Sequence, residues 1–530
     1  MKMQSNMSKN FSKVPTANIQ RSAFDRTSSL KTTFDGGQLI PIYVDEALPG
    51  DTFVMNPTIF ARLATPLTPV MDNMFMDVFW FAVPNRLLWT NWERFCGAQD
   101  DPSDSVAFTM PQIVSPAGGW LEQSLSDYFG LPTKIVGLSV TSLWHRAYNL
   151  IYNEWFRDEN IQDSVVVDKD DGPDTDTDYI ILNRGKRHDY FTSCLPWPQK
   201  GDAIEIPLLG TAPVTGIGKT NNSFPSSNTA AYETDGTASR NYVSASGTMD
   251  GVLVSTHTLV AEEDTNNSGY PNIRADLTSV TAATINDLRE AFALQRMAER
   301  DARGGTRYQE LIKSHFNVTG GDARLQRPEY LGGNTTPVII NQVPQTSESG
   351  TTAQGTMTGF GTVHSNGGGF TKSFTEHCVI IGMVSVRADL TYQQGIDKMW
   401  SRSTKVDFYW PELAHLGEQG VLNKEIYADA SGNDDTVFGY QERHAEYRYK
   451  QSKITGLFRS NATGTLEAWH LSQDFGSLPT LSDTFIKDTP PIDRVIAVTA
   501  EPHFIFDSYL KLKCIRPMPV WAVPSLMSRL

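Results

Sequence analysis

Residues 78–89 read VFWFAVPNRLLW, with Trp92 and Phe95 close behind. Such aromatic density in an otherwise polar chain fits a membrane contact, a ligand cleft, a buried strand, or a surface that another protein covers. A membrane-spanning helix needs roughly 20 consecutive apolar residues. The longest uninterrupted runs here, such as VFWFAVP and CVIIGMV, are far shorter, so no transmembrane helix is expected. The opening MKMQSNMSKNFSKVPTANIQ has lysines but neither an apolar stretch nor a small-residue cleavage site, which argues against a secretion signal.

The 530 residues are 39% hydrophobic and 20% charged, ordinary values for a soluble globular protein. The net charge is −15, which disfavours coating duplex DNA by phosphate neutralisation alone. That charge is unevenly spread. Residues 1–34 hold Lys2, Lys9, Lys13, Arg21, Arg26 and Lys31 against the single acid Asp25, so a basic N-terminal arm on an acidic body is expected. Cysteines at 96, 194, 378 and 514 are widely separated, and neither a disulfide framework nor a zinc site is indicated.

Strand signals dominate the chain. GQLIPIYVDEAL, MFMDVFWFAV, DAIEIPLL, CVIIGMVSVRADLTY, KVDFYW and SKITGLF are short β-branched or aromatic runs bounded by Gly, Pro or Asp. RVIAVTA and HFIFDSYLKLKCI are expected to form a long hairpin, with Leu510, Leu512 and Cys514 alternating with Tyr509, Lys511 and Lys513 as a half-buried strand. Helices are expected over TINDLREAFALQRMAERDARGG, SVTSLWHRAYNLIYNEWF and NRLLWTNWERFCG. Residues 208–283 differ from the rest: 35 of these 76 are Ser, Thr, Asn or Gly, a composition that buries little apolar surface and fits an insertion. The non-strand chain greatly exceeds the strand chain, and long loops in a compact domain are expected to make contacts.

The chemical motifs are weak. GFGTVHSNGGGFTKSF is glycine-rich but lacks the GK[ST] spacing of a phosphate loop. VDKDDGPDTDTD, residues 167–178, has six aspartates, but its glycine spacing misses that of a calcium loop and no glutamate sits at the required position, which favours a solvated acidic loop. Hydrolase, zincin and deaminase signatures are missing, so no catalytic residue, metal ligand or cofactor-binding residue is assigned. ERHAEYRYKQSK interleaves Arg443, Arg448, Lys450 and Lys453 with Tyr447 and Tyr449, a pattern that suits single-stranded nucleic acid and equally a wet strand face.

Several longer stretches carry more weight together: IQRSAFDRTSSLKTTFDGGQLIPIYVDEALPGDT, ARLATPLTPVMDNMFMDVFWFAVPNRLLW, ERDARGGTRYQELIKSHF with DARLQRPEYLGG, VSVRADLTYQQGIDKMWSR, HLGEQGVLNKEIY and FIFDSYLKLKCIRPMPVW. In content and order they resemble the major capsid proteins of Microviridae, small icosahedral single-stranded DNA phages, and specifically the gokushovirus group. The resemblance spans nearly the whole chain except much of 208–283 and the glycine-rich stretch.

That resemblance implies an all-β fold: an eight-stranded antiparallel jelly roll over 35–530 with long loop insertions and a few helices, preceded by the arm at 1–34. It implies a coat protein without catalysis or cofactor. About sixty copies would close into a T=1 shell around circular single-stranded DNA. The implied partners are further copies of the chain, the DNA, a small basic internal DNA-binding protein, other minor virion proteins and a host receptor, with no membrane insertion. The insertion at 208–283 matches the family's three-fold protrusion, which meets the host. The implied location is the virion, after assembly in the bacterial cytoplasm. Lys9, Lys13, Arg21, Arg26, Lys31, Arg443, Arg448, Lys450 and Lys453 are the candidates to face nucleic acid. Trp89, Trp92 and Phe95 are the candidates for subunit contact, with a core role left open for each, and VFWFAV is expected as a strand buried on both faces. A β-rich carbohydrate-binding or carbohydrate-active protein is the alternative.

Overall fold

Eleven strands pair into two antiparallel sheets. They are β1 (Ser22–Asp25), β2 (Ser28–Phe34), β3 (Ile40–Ala47), β4 (Thr52–Leu63), β5 (Met74–Pro84), β6 (Glu329–Pro337), β7 (Ile339–Pro344), β8 (Met357–Asn366), β9 (Thr371–Ser373), β10 (Cys378–Ala388) and β11 (Phe504–Arg516). The computed structural model describes residues 20–204, 285–318 and 326–521, with the backbone of short strands at 214–215, 217–219, 259–261 and 274–275. In sheet one the order is β1-β11-β4-β8-β7, with β2 also on β11 and β9 also on β4. In sheet two the order is β6-β5-β10-β3.

This order defines the jelly roll. With β2, β3, β4, β5, β6, β8, β10 and β11 numbered one to eight, the sheets run 1-8-3-6 and 2-7-4-5, two Greek keys wound together. The family-implied fold is therefore the observed one. β1, β7 and β9 extend sheet one beyond the eight.

Side-chain alternation explains why these residues form these strands. β4 and β11 bury alternate residues, so Phe53, Ile59, Phe504 and Phe506 face the sandwich. Leu510, Leu512 and Cys514 point inward as expected, while Tyr509, Lys511 and Lys513 are exposed. β5 and β10 behave differently, and β10 buries every one of its residues. Met76, Val78 and Trp80 with Ile380 and Val384 fill the sandwich core. Phe81 and Val83 with Val379, Ile381 and Met383 fill a second core on the opposite face.

That second core is capped by the chain between β5 and β6. Pro84 ends β5, two single-turn helices follow at Asn85–Leu88 and Trp92–Phe95, and a helix at Leu143–Ile151 lays Leu143, Ala147 and Ile151 against sheet two. A third core gathers Tyr190 and Phe191 with Val421, Ile426, Phe438 and Phe485, so it draws on both long connections. VFWFAV is thus a strand buried on both faces, by the sandwich and by the connection that follows it.

Several expectations need correction. KVDFYW is not a strand but a 3-10 turn at Lys405–Asp407 followed by extended, exposed chain. SKITGLF holds only a two-residue strand, Ser452–Lys453, and a 3-10 turn. RVIAVTA makes no hairpin with β11, whose neighbours are β1, β2 and β4, and instead forms a turn with one isolated bridge from Ile496 to Pro66. Residues 22–34, the second part of the expected arm, are the strands β1 and β2 on β11. The glycine-rich stretch is β8 followed by a turn in which Gly368 takes φ of +75°. DAIEIPLL lies largely outside the described residues.

Gln199–Gly305 forms a compact unit of its own, apart from Met1–Pro198 with Thr306–Leu530. Within it a helix spans Ile285–Arg303, as expected, and Ile217–Lys219 pairs with Leu259–Ala261 while Val214–Thr215 pairs with Arg274–Ala275. Most of the expected insertion at 208–283 lies outside the described residues. Among the described residues no helix is long and apolar enough to cross a membrane.

Candidate subunit and nucleic-acid interfaces

Trp89 and Trp120 are held by the acidic loop. Trp89 is wholly buried, and its indole N–H donates to Asp171 Oδ1 at 2.7 Å, which also accepts from Asn91 at 2.8 Å. Those two bonds hold the Asp171 carboxyl below the usual carboxylate range. Trp120 donates to Asp176 at 2.6 Å in the same way. Arg146, wholly buried, donates to Asp174 at 2.7 Å and to the carbonyls of Leu88 and Asp170 at 3.0 and 2.9 Å. Burial is the largest single influence on Asp174 and opposes its charge, but the hydrogen bonds from Arg146 and Tyr179 and the charge of Arg146 together outweigh it, so the carboxyl stays below the usual range. The loop read as solvated is therefore an anchoring strap for indoles and a guanidinium. Among the described residues no group of His, Cys, Asp and Glu side chains is placed to hold a metal ion.

The three subunit-contact candidates separate accordingly. Trp89 is core within one chain, a correction that follows from its bond to Asp171. Trp92 is half-buried against His377 and Phe95, and Phe95 is exposed.

A larger aromatic surface lies where the sequence suggested a strand. Between residues 398 and 416, Trp400 is 74% exposed, and Val406, Phe408, Tyr409, Trp410 and Leu416 are exposed as well. Cations lie against Phe408 and Trp410, while Tyr409 packs against His444 and Tyr447. The Arg402 guanidinium lies 4.3 Å from the Tyr447 ring and 5.4 Å from Phe408, and pairs with Glu446 at 3.1 Å. Lys405 sits 4.6 Å above the Trp410 ring, whose N–H donates to the Lys405 carbonyl at 3.0 Å. Asp407 accepts from the amides of Thr404 and Ser403, which lowers its carboxyl to about 2. The rings FYW before Pro411 were the available signal, and an alternating-strand pattern fitted them equally well.

The cations expected to face nucleic acid fall on separate elements, and most are answered by a carboxylate. Lys9 and Lys13 lie outside the described residues. Arg21 donates to the Gly50 carbonyl and to Thr52, Arg26 pairs with Asp45 at 2.6 Å, and Lys31 pairs with Asp507 at 3.2 Å. Arg448 pairs with Glu442, while Lys450 and Lys453 share Asp397 at 3.5 and 2.9 Å. Arg443 donates to the Val406 carbonyl at 3.3 Å. Tyr447 and Tyr449 are exposed beside them.

Comparison with known proteins agrees with this architecture. The family described as capsid protein (F protein) matches residues 12–526. The chain is similar to the capsid protein VP1 of Bdellovibrio phage phiMH2K, 47% identical over 98% of each chain, and to that of Chlamydia phage 1, 44% identical over 99% of each. Capsid protein VP1 of Spiroplasma virus 4 is 36% identical over 97% of each chain. These relatives are coat proteins, which sets aside the carbohydrate-binding alternative. With a jelly roll, two long connections and an exposed aromatic ridge already in place, the chain belongs to the capsid protein (F protein) family and is a structural coat protein of a phage particle.

Proposed function

We propose that about sixty copies of this coat protein close into a T=1 icosahedral shell around circular single-stranded DNA. The observation that carries this reading is the ridge of Trp400, Phe408, Tyr409 and Trp410, large rings left open on a single chain. Aromatic residues are enriched where interfaces desolvate, and permanent interfaces resemble a core cut in half. Neighbouring copies cover the ridge, and Phe95 is a second contact of the same kind.

The basic residues before β1 point inward, and the net charge of −15 leaves much of the DNA neutralisation to a small basic internal protein. The polar insertion at 208–283 forms three-fold protrusions that meet the host receptor, and other minor virion proteins join during assembly in the bacterial cytoplasm. Arg443, Arg448, Lys450 and Lys453 are secondary candidates for DNA contact, the last three weakened by their carboxylate partners.

Velocity sedimentation of the chain produced with its viral partners tests the shell. Uniform megadalton particles are expected, whereas a lone species near 58.8 kDa would refute it. Particles lacking 208–283 are expected to assemble but lose adsorption to host cells; unchanged adsorption would remove the host role.

A further inference from the structure

The two sheets differ in what covers them. Sheet two is buried on both faces, by the sandwich and by the chain after Pro84. Among the described residues, sheet one is buried only on its inner face. On its outer face Phe60 is 48% exposed, Tyr509 54% and Ile505 62%. Strand register sets these side chains in rows. Lys31, Asp507, Phe60 and His364 lie side by side across β2, β11, β4 and β8, and Ser29, Tyr509, Thr58 and Asn366 form the next row. Lys511 and Lys513 continue along β11, and Arg62 flanks Phe60 on the other side, next to Ile505.

We infer that this outer face lines the particle interior and binds the packaged single-stranded DNA, with bases stacking on Phe60 and Tyr509 and phosphates meeting Arg62, Lys511 and Lys513. The inference rests on the shell proposed above and adds the surface that touches DNA. On a chain of net charge −15, this face sets four cations, Lys31, Arg62, Lys511 and Lys513, against two carboxylates, Asp25 and Asp507. Open rings between cations and hydroxyl or amide side chains are the combination that single strands use, because every base offers a flat face whatever its identity. A second copy of the chain is a poorer occupant, since interface cores are depleted of lysine. The lysine-bearing N-terminal residues also join the chain at this sheet, entering through β1.

Ultraviolet crosslinking of intact DNA-filled particles, followed by mass spectrometry of the peptides, tests this directly. Nucleotide adducts are expected on the peptides carrying Phe60 and Tyr509, and particles of the Tyr509→Ser variant should lose the second adduct. DNA-filled particles whose adducts lie only elsewhere would overturn the assignment and leave the shell standing. So would labelling of Lys511 and Lys513 from outside by an amine reagent that cannot enter the shell, or protein–protein crosslinks between copies at this face. Failure to form DNA-filled particles at all would overturn both.

Discussion

Gly382 of β10 stands opposite Trp80 of β5, and a Cβ at that position would lie 2.4 Å from the indole ring. The glycine makes the slot in which Trp80 is wholly buried, with its N–H donating to the Gly368 carbonyl at 2.9 Å and Phe370 packed 5.8 Å away. Gly382→Ala is therefore expected to destabilise the unassembled chain by about 1–3 kcal/mol, the cost of overpacking a close-packed core. Thermal unfolding measures this, and an unchanged midpoint would show that the slot has room to spare.

The Arg146–Asp174 pair joins the helix at Leu143–Ile151 to the acidic loop, with both side chains out of contact with solvent. Removing one partner leaves a buried charge. Asp174→Ala should cost roughly 3–5 kcal/mol. Denaturant titration checks the value, and a loss under 1 kcal/mol would mean that water reaches Arg146.

His145 gives the fold a pH dependence. It is buried, its Nε2 lies 2.9 Å from Ser126 Oγ, and Phe129, Tyr179 and Asp174 face it. Burial lowers its pKa from 6.5 to about 4, against the attraction of Asp174. The unfolded chain therefore binds the extra proton first. The stability associated with neutral His145 is complete above pH 6.5 and is lost as the pH falls towards 4. Between those limits the wild type should lose on the order of 3 kcal/mol relative to His145→Leu. Parallel stability curves for the two proteins would contradict this.

Trp400 separates folding from assembly. At 74% exposure, its replacement by Ser should change the stability of the single chain by no more than about 0.5 kcal/mol. If neighbouring copies cover the ridge, the same change should cost roughly 2 kcal/mol or more per contact and reduce the particle fraction in sedimentation. Normal particle yield from Trp400→Ser would place the subunit contact elsewhere.

How much of this was legible in the sequence depended on what held each residue. β5, β10 and β11 were readable because their apolar runs and alternation are local properties. KVDFYW misled because Phe408 and Trp410 lie against cations, Arg402 and Lys405, rather than against a partner strand. Trp89 and Phe95 lie in one run, yet only Trp89 meets an acceptor 82 residues further on, a relationship that no short-range pattern encodes. The outer face of sheet one was equally hidden. The alternation along β11 gave Tyr509, Lys511 and Lys513, but their neighbours Phe60, Arg62 and His364 come from strands that only the pairing brings together.

An electron cryo-microscopy reconstruction of the assembled particle tests the central claim most directly. About sixty equivalent copies are predicted under icosahedral symmetry, with the Trp400–Trp410 ridge covered by a neighbour and the outer face of sheet one turned towards the DNA. A particle of another symmetry, or one in which the ridge stays open to solvent, would contradict the account.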